Sequence, residues 1–253
     1  MYEEIDLTDA IRDLERGLSV LASREGAPEH TGSPLFAEQL TELMGLVLEG
    51  NETADLTSIT DPDEFVRLHL LDSLACVGLP EVNKAKSIID VGTGAGFPGL
   101  PLALLYPDKS FLLIDSLRKR TDFVKHAAQE LKLKNVEVKH VRAETAGHDP
   151  KIREKFDLAL CRAVGKLSII LEYNMPCVRV GGSGIFYKTI PAKGEIQDSF
   201  LARKQLGCAD AVRVETYKDV LPGREHALYI IEKSMATPAK YPRREGVPSK
   251  VPL

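Results

Sequence analysis

Over the first 80 residues, apolar side chains recur every three or four positions, which is the spacing of one buried helix face. The stretch DPDE at 61–64 predicts the start of a further helix, FVRLHLLDSLACVGL, because proline suits the first helical position and acidic side chains favour the positive end of the helix dipole. We predict that residues 1–80 form a helical extension packed on the rest of the chain. The apolar positions of the first two helices are Ile11, Leu14, Leu18 and Leu21, then Leu40, Leu43, Met44 and Val47.

From residue 86 onward, short apolar runs alternate with amphipathic, helical stretches. The first five runs are interleaved with helices, so they predict a mostly parallel sheet covered by helices on both faces. The last two runs have no obvious helix between them and predict an antiparallel hairpin at the sheet edge. We therefore predict an α/β domain over 81–235, with seven strands at SIIDV, SFLLID, NVEVKHV, FDLALCRAV, GGSGIFYK, AVRVETY and HALYIIEK.

The composition of the 253 residues is typical of a folded protein with one well-filled core, 43% hydrophobic and 28% charged. No run of 18 apolar residues occurs, so no membrane span or membrane partner is predicted. The N-terminal stretch MYEEIDLTDAIRDLERGLSV is acidic and amphipathic, unlike a signal peptide, and we expect a cytoplasmic protein. The four cysteines lack CxxC spacing, which predicts buried thiols rather than a zinc site or disulfides.

The net charge of −4 argues weakly against a protein that coats nucleic acid without specificity, but a net charge over the whole chain hides local basic patches. Residues 236–253 form a basic, proline-containing tail, and its stretch KYPRREGVPSK holds four basic side chains against one acid. Two interpretations of the tail stay open: a surface that faces a polyanion, or a solvated terminus held by few contacts.

Residues 90–99, DVGTGAGFPG, follow the first predicted strand and contain four glycines. Ligands of open α/β sheets bind beyond the carboxyl ends of the strands, so this loop lines the expected crevice. The register G-x-G-x-G starts directly after the strand, whereas the dinucleotide register G-x-G-x-x-G starts two residues later. Pro98 and Pro101 remove amides that a pyrophosphate needs at a helix N-terminus. The loop therefore favours a ligand without phosphate, such as S-adenosylmethionine, whose positive amino-acid end suits the acidic Asp90.

Asp115 ends the second predicted strand, 19 residues after Gly96. An acid near this distance accepts hydrogen bonds from ribose hydroxyls, and either adenosine cofactor would use it. The other interpretation is a glycine turn that serves only close helix packing, with Asp115 as a helix cap. The glycines, the two acids and the strand–helix–strand context together favour a cofactor site.

Longer motifs carry a more specific signal. They are LTSITDPDEFVRLHLLDSL, DVGTGAGFPGLPLA, LIDSLRKRTDFV, RAET, CRAV and TPAKYPRREGVPSKVPL. Through these motifs the chain resembles, from about residue 50 to the C-terminus, the bacterial 16S rRNA guanine-N7 methyltransferase family, also called ribosomal small subunit methyltransferase G or glucose-inhibited division protein B. The resemblance implies a Rossmann-like class I fold and an activity that depends on S-adenosylmethionine. The implied reaction is methylation of N7 of a guanine in the 530 loop of 16S rRNA, guanine 527 in the usual numbering.

The resemblance also implies residue roles. Arg162 would face both cofactor and substrate, and Arg162, Arg142 and Lys188 would carry catalysis. Two positions depart from the family pattern: Asp55 stands where the family has asparagine, and Arg224 is shifted from the family's C-terminal arginine. The implied cofactor contacts are Asp90, Gly92, Gly94, Phe97, Asp115, Ser116, Leu117, Ala143, Glu144 and Arg162. The implied RNA contacts are Asp55, Arg142, Lys188, Arg224, Arg243 and Arg244.

The implied chemistry agrees with the residues present. Guanine N7 is unprotonated at neutral pH and needs no general base, so catalysis would depend on positioning and electrostatics. The expected partner is 16S rRNA or the 30S subunit, with the protein a monomer and no metal bound. Three other functions stay open: a methyltransferase of the same fold acting on another RNA, a protein or a small molecule; an NAD-linked oxidoreductase; and a non-catalytic RNA-binding module.

Local alternatives stay open as well. Arg162 could form a structural ion pair with Asp115 or Glu144, and Lys188 could be a solvated lysine at a strand end. His69 and Asp72, one helical turn apart in HLLDSL, are predicted to form an interhelical hydrogen-bond pair rather than to bind a ligand.

Overall fold

The computed structural model describes residues 7–162, 165–189, 194–223 and 225–253. The strands in these ranges are β1 (Ser87–Val91), β2 (Ser110–Asp115), β3 (Val136–His140), β4 (Phe156–Arg162), β5 (Val178–Thr189), β6 (Arg213–Thr216) and β7 (His226–Glu232). They form one sheet in the order β3-β2-β1-β4-β5-β7-β6. Strands β1 to β5 are parallel, β7 is antiparallel to β5, and β6 pairs antiparallel with β7 at the edge. The predicted mostly parallel sheet with an edge hairpin is confirmed.

Helices cover both faces of the sheet, and two of them start on well-suited residues. Ser33 accepts a hydrogen bond from Phe36 N at 3.2 Å, and Asp61 accepts one from Glu64 N at 2.9 Å; a proline follows each of these caps. The helices of the described ranges are α1 (Thr8–Ala22), α2 (Pro34–Ala54), α3 (Pro62–Phe65), α4 (Pro80–Lys84), α5 (Gly99–Leu105), α6 (Arg118–Glu130), α7 (Ala143–Ala146), α8 (Leu167–Asn174), α9 (Glu195–Asp198), α10 (Phe200–Leu206) and α11 (Val247–Lys250).

The predicted third helix is not one regular helix. It begins at Pro62 as expected, but α3 continues as a π-helical segment over Val66–Leu71 and then a 3₁₀ turn over Leu74–Cys76. Such irregular turns leave backbone carbonyls available to side chains of other elements. The carbonyls of Leu68 and His69 accept hydrogen bonds in this way from a side chain of β4, described below.

Each face of the sheet has its own hydrophobic layer, because successive side chains of a strand point to opposite faces. Ile88 belongs to the layer that contains Leu14 of α1 and Leu43 of α2, whereas Ile89 belongs to the layer that contains Leu171 of α8. The N-terminal helices therefore share a core with the sheet. The four cysteines are unpaired and buried, as predicted. Within the described ranges, no helix is long and apolar enough to cross a membrane.

The C-terminal tail is held by hydrogen bonds to its backbone. Arg153 Nη1 donates to Tyr241 O at 2.8 Å, and Gly246 N donates to Glu144 Oε1 at 2.8 Å. Tyr241 itself is buried. Of the two interpretations of the tail, the solvated terminus is therefore wrong.

Candidate functional site

A cavity of about 410 Å³ lies at the carboxyl ends of β1, β2, β3 and β4, where the strand order reverses. We call it the loop cavity, because the glycine loop forms one of its walls. Ligands of open α/β sheets bind at this position. The residues implied by the resemblance that line it are Gly92, Gly94, Phe97, Asp115, Ser116, Leu117, Arg142, Ala143, Glu144 and Arg162.

Asp90 lies beneath the glycine loop and not in the cavity wall. Its buried Oδ2 accepts hydrogen bonds from Thr93 Oγ1 at 2.7 Å and from Gly99 N at 3.0 Å. A Cβ on Gly99 would come within 2.8 Å of the same oxygen, so the loop needs glycine there. Burial raises the pKa of Asp90 to about 6. The sequence implied a cofactor contact for Asp90. In the structure its hydrogen bonds stabilise the glycine loop.

The N-terminus of α5 offers few donors to an anion. Pro98 and Pro101 have no N–H, and the amide of Gly99 already donates to the Asp90 carboxylate. A pyrophosphate at this helix end would meet a carboxylate instead of free amides. The local structure therefore agrees with the prediction that the ligand carries no phosphate.

Asp115 connects two walls of the loop cavity. Its Oδ2 accepts a hydrogen bond from Gly94 N at 3.0 Å and its Oδ1 accepts one from Leu117 N at 2.8 Å. Gly94 has a φ of +59°, and a Cβ on it would meet no atom within 4 Å. The loop thus presents bare backbone to open space beside a carboxylate whose oxygens keep further lone pairs for hydroxyl donors.

The opposite wall is attached to the C-terminal tail. Glu144 is buried, and its Oε1 accepts the hydrogen bond from Gly246 N. Arg142 is half-exposed, and its Nε lies 3.2 Å from Glu245 Oε2. Arg142 therefore reaches the cavity mouth already paired with an acid of the tail.

Arg162 is held by the N-terminal helices rather than by the acids named in the sequence analysis. Its Nη1 donates to Leu68 O at 2.9 Å and to Asp72 Oδ2 at 3.0 Å, and its Nη2 donates to His69 Nδ1 at 3.0 Å. The guanidinium also lies over the Phe97 ring, 5.3 Å from its centroid. The alternative of a pair with Asp115 or Glu144 is wrong, because Asp72, directly after the π-helical segment, is the carboxylate that contacts Arg162.

His69 is a neutral ring with both nitrogens engaged. Arg162 can only donate, so Nδ1 accepts and the ring proton lies on Nε2, which faces Thr57 Oγ1 at 2.7 Å. Burial, with the Arg162 charge, lowers the pKa of His69 to about 3. The ring stacks on Phe97 with centroids 4.9 Å apart. His69 therefore joins the glycine loop to the N-terminal helices.

Asp72 is a buried carboxylate with three side-chain partners. Besides Arg162, its Oδ1 accepts hydrogen bonds from Tyr217 Oη at 2.8 Å and from His226 Nδ1 at 3.1 Å. These partners, with the Arg162 charge, outweigh burial and lower the pKa of Asp72. The predicted hydrogen bond between His69 and Asp72 is wrong: none joins them among the described residues, and Arg162 contacts both side chains instead.

A second cavity of about 730 Å³ adjoins the loop cavity, and we call it the adjacent cavity. Arg162 and His69 line both cavities, whereas Lys188 lines the adjacent cavity only. Lys188 is not a solvated lysine, because its Nζ donates to Glu195 Oε1 at 2.7 Å and to Gly165 O at 2.8 Å.

Of the remaining implied residues, Asp55, Arg243 and Arg244 line neither cavity. Asp55 is exposed and ends α2 with a φ of +49°, a conformation that aspartate and asparagine tolerate better than most residues. Arg224 lies outside the described residues. Arg243 forms a bidentate ion pair with the buried Glu172, at 2.9 and 2.7 Å, whereas Arg244 is exposed.

Two neighbouring arginines of the tail should therefore behave differently on replacement. Arg243→Ala leaves the Glu172 carboxylate buried without its cation, so we expect the free energy of unfolding to fall by about 3 kcal/mol. Arg244→Ala should leave stability unchanged. Urea unfolding of both variants measures the difference, and equal stabilities would contradict the structural role of Arg243.

Sequence reasoning missed several residues of the loop cavity. Leu56 is positioned by Asn51, whose Oδ1 accepts a hydrogen bond from Leu56 N at 2.7 Å; the motif LTSITDP pointed to this segment without naming the residue. Tyr173 of α8 and Arg120 of α6 also line the cavity, and no sequence motif marked Tyr173. Among the described residues, no cluster of three or more His, Cys, Asp or Glu side chains could hold a metal ion.

Comparisons with known proteins find relatives that cover most of the chain. Residues 36–219 match the family described as rRNA small subunit methyltransferase G. A Ribosomal RNA small subunit methyltransferase G from Alkaliphilus metalliredigens is 43% identical over 218 residues, which cover 85% of this chain and 90% of that protein. The protein of the same name from Desulfitobacterium hafniense is 41% identical over 207 residues, or 82% of this chain and 85% of that protein.

Solved structures share the fold at much lower identity. The cofactor-bound protein Rv0187 from MTB superimposes with a TM-score of 0.53 at 17% identity, covering 76% of this chain and 90% of that chain. A protein from Klebsiella pneumoniae assigned as an O-methyltransferase gives a TM-score of 0.51 at 14% identity, with the same coverage. The predicted Rossmann-like class I methyltransferase fold is confirmed.

Proposed function

Because the chain belongs to the rRNA small subunit methyltransferase G family, we propose that it transfers a methyl group from S-adenosylmethionine to N7 of a guanine in 16S rRNA. The proposed target lies in the 530 loop, at guanine 527 in the usual rRNA numbering. The substrate is the free 16S rRNA or the 30S subunit, and the protein acts as a monomer.

The loop cavity fits S-adenosylmethionine. Gly94 leaves open space for a close approach of the ligand to the backbone, and the Asp115 carboxylate borders that space for the ribose hydroxyls. Ala143 and Glu144 form the wall proposed for the adenine. S-adenosylmethionine supplies an electrophilic methyl group on a sulfonium sulfur and carries no phosphate. The helix end without free amides is consistent with that choice.

The observation that carries the proposal is the meeting of two cavities at Arg162 and His69. These two side chains line both cavities, so they would contact a cofactor in the loop cavity as well as a base in the adjacent cavity. The guanidinium is fixed by hydrogen bonds to Leu68, His69 and Asp72, so it can orient a bound base without reorganising.

The side chains at this boundary suit a reaction without a general base. Guanine N7 has a free lone pair, so no proton has to be removed before the methyl group is transferred. His69 cannot act as a base near neutral pH, because its pKa is about 3 and both ring nitrogens are engaged. Positioning by Arg162 is then the main contribution of the protein.

RNA would reach the adjacent cavity as an unpaired base. The major groove of A-form RNA, where N7 lies, is too deep and narrow for side chains, so the target guanine has to be in a loop or flipped out. Arg120 and Arg142 at the loop cavity, with Arg244 on the tail, provide positive charge for the flanking phosphates. RNA affinity is therefore expected to fall as salt rises.

The test is to map N7-methylguanine in 16S rRNA. We expect one modified guanine, in the 530 loop, in RNA from cells that contain the protein and none there in RNA from a deletion strain. Purified protein with labelled S-adenosylmethionine should restore the same mark on free 16S rRNA or on 30S subunits from that strain. A mark at a different position, or no incorporation into either substrate, would refute the proposed target.

A further inference from the structure

One wall of the adjacent cavity is an ion pair that is firmly attached to the backbone. Lys188 Nζ donates to Gly165 O and to Glu195 Oε1, and the same Oε1 accepts a hydrogen bond from Leu167 N at 2.7 Å. Both charged side chains are largely buried, 13% and 14% exposed. They line the adjacent cavity and not the loop cavity, unlike Arg162.

The ion pair leaves hydrogen-bonding capacity unused. Glu195 Oε2 is buried and has no hydrogen-bond partner among the described residues. The Lys188 ammonium carries three N–H groups, of which two have partners in the described part of the chain. A buried carboxylate oxygen without a donor is costly, and Glu195 lines the adjacent cavity, so a ligand donor that reaches this oxygen would be favoured.

We propose that Lys188 and Glu195 recognise the Watson–Crick edge of the guanine that is methylated. Lys188 donates to O6, and Glu195 accepts hydrogen bonds from N1–H and the N2 amino group. This inference deepens the proposed function and rests on it: it names the residues that determine which base is accepted.

The arrangement of the two cavities fits this orientation. In guanine, O6 lies next to N7 on the ring edge, and N1 and N2 follow on the side away from N7. When N7 faces the loop cavity across Arg162, the Watson–Crick edge points into the rest of the adjacent cavity, which Lys188 and Glu195 line. A cavity of about 730 Å³ is in the size range of small-ligand sites and has room for a base.

The same pair disfavours other purines. Adenine has an amino group in place of O6 and a lone pair at N1, so it would bring a donor to Lys188 and an acceptor to Glu195. Inosine keeps O6 and N1–H but lacks the N2 amino group. A site built to bind a polar group rejects an analogue without it, because its own polar atom stays unpaired.

The test compares guanine and inosine at the target position, in 16S rRNA assembled by ligation from two fragments. For the wild-type protein we expect kcat/KM to be about 10- to 100-fold lower with inosine. Glu195→Gln keeps one carbonyl oxygen but replaces the other acceptor by an NH₂ group. We expect this variant to lose about 100-fold in kcat/KM with guanine and to treat guanine and inosine alike.

Asp198→Asn is the matched control, since Asp198 lies on the same helix α9, is exposed and lines neither cavity. It should retain wild-type kcat/KM and base preference. Calorimetric titration of Glu195→Gln with S-adenosylhomocysteine should match the wild type, and thermal unfolding checks that the variant is folded at the assay temperature. A merely structural Glu195 would lower guanine and inosine rates by the same factor.

Two results would overturn the inference while leaving the proposed function intact. They are equal wild-type rates with guanine and inosine, and a Glu195→Gln protein with an unchanged preference for guanine. The proposed function fails instead if wild-type protein transfers no methyl group to the guanine-containing RNA. The wild-type comparison needs no variant, so equal rates with guanine and inosine would refute the inference even if Glu195→Gln does not fold.

Discussion

Replacing Arg162 by alanine is expected to lower kcat for methyl transfer to 16S rRNA by about 100- to 1000-fold. The guanidinium is the charged group shared by the two cavities, and three hydrogen-bond acceptors of the N-terminal helices fix its orientation. Binding of S-adenosylhomocysteine should change far less, because Asp115 and the glycine loop remain. Single-turnover kinetics with saturating cofactor, together with calorimetry, measures the two quantities separately.

Two further variants show whether the loss belongs to Arg162 itself. Arg162→Lys should recover little activity, since one ammonium cannot reproduce the planar, forked contacts of a guanidinium. Arg179→Ala removes an ion pair with Asp157 at the amino ends of β4 and β5, away from both cavities, and should retain wild-type kcat. Thermal unfolding shows whether the Arg162→Ala protein is folded. If it is folded and keeps a tenth of wild-type kcat, the proposed role of Arg162 is excluded.

Replacing Asp115 by asparagine is expected to weaken S-adenosylhomocysteine binding by about 10- to 100-fold. Both carboxylate oxygens accept hydrogen bonds from backbone amides, those of Gly94 and Leu117. Asparagine has only one oxygen, so its NH₂ group has to face one of these N–H donors. The glycine loop or the start of α6 must then move, and the negative charge available to the ribose hydroxyls is lost as well.

Isothermal titration calorimetry with S-adenosylhomocysteine measures this effect without any RNA. Asp108→Asn is the control, because Asp108 is an exposed aspartate of the turn that precedes β2, at the opposite end of the strand. Its dissociation constant should equal that of the wild type. An Asp115→Asn protein with wild-type affinity would remove Asp115 from the cofactor site.

Much of the sheet could be predicted from sequence because its strands are short, contiguous apolar runs. SIIDV and SFLLID coincide with β1 and β2, and the glycine loop between them lines the loop cavity as expected. The same apolar pattern did not predict the π-helical segment over Val66–Leu71. That segment is supported from outside by the Arg162 side chain, which donates to two of its carbonyls.

The partners of charged side chains were the least predictable part of the site. Arg162 pairs with Asp72, 90 positions away, and Arg243 pairs with Glu172, 71 positions away. A local sequence pattern contains no information on such pairs. Many acids of the chain have similar local sequences, and only tertiary packing brings one of them next to a given arginine. Asp90 shows a related effect. Its position at a strand end suggested ligand contact, but its buried carboxylate accepts hydrogen bonds from Thr93 and Gly99 of the glycine loop.

The four-residue network around Asp72 also constrains how the sequence can evolve. Arg162, Tyr217 and His226 lie on β4, after β6 and on β7, so the network spans 154 positions of the chain. Loss of the carboxylate would leave a largely buried guanidinium without its ion-pair partner, and loss of the arginine would leave a buried carboxylate without its cation. Natural variants of this protein should therefore change these positions jointly or not at all, and covariation among relatives should connect them more strongly than their distance along the chain would suggest.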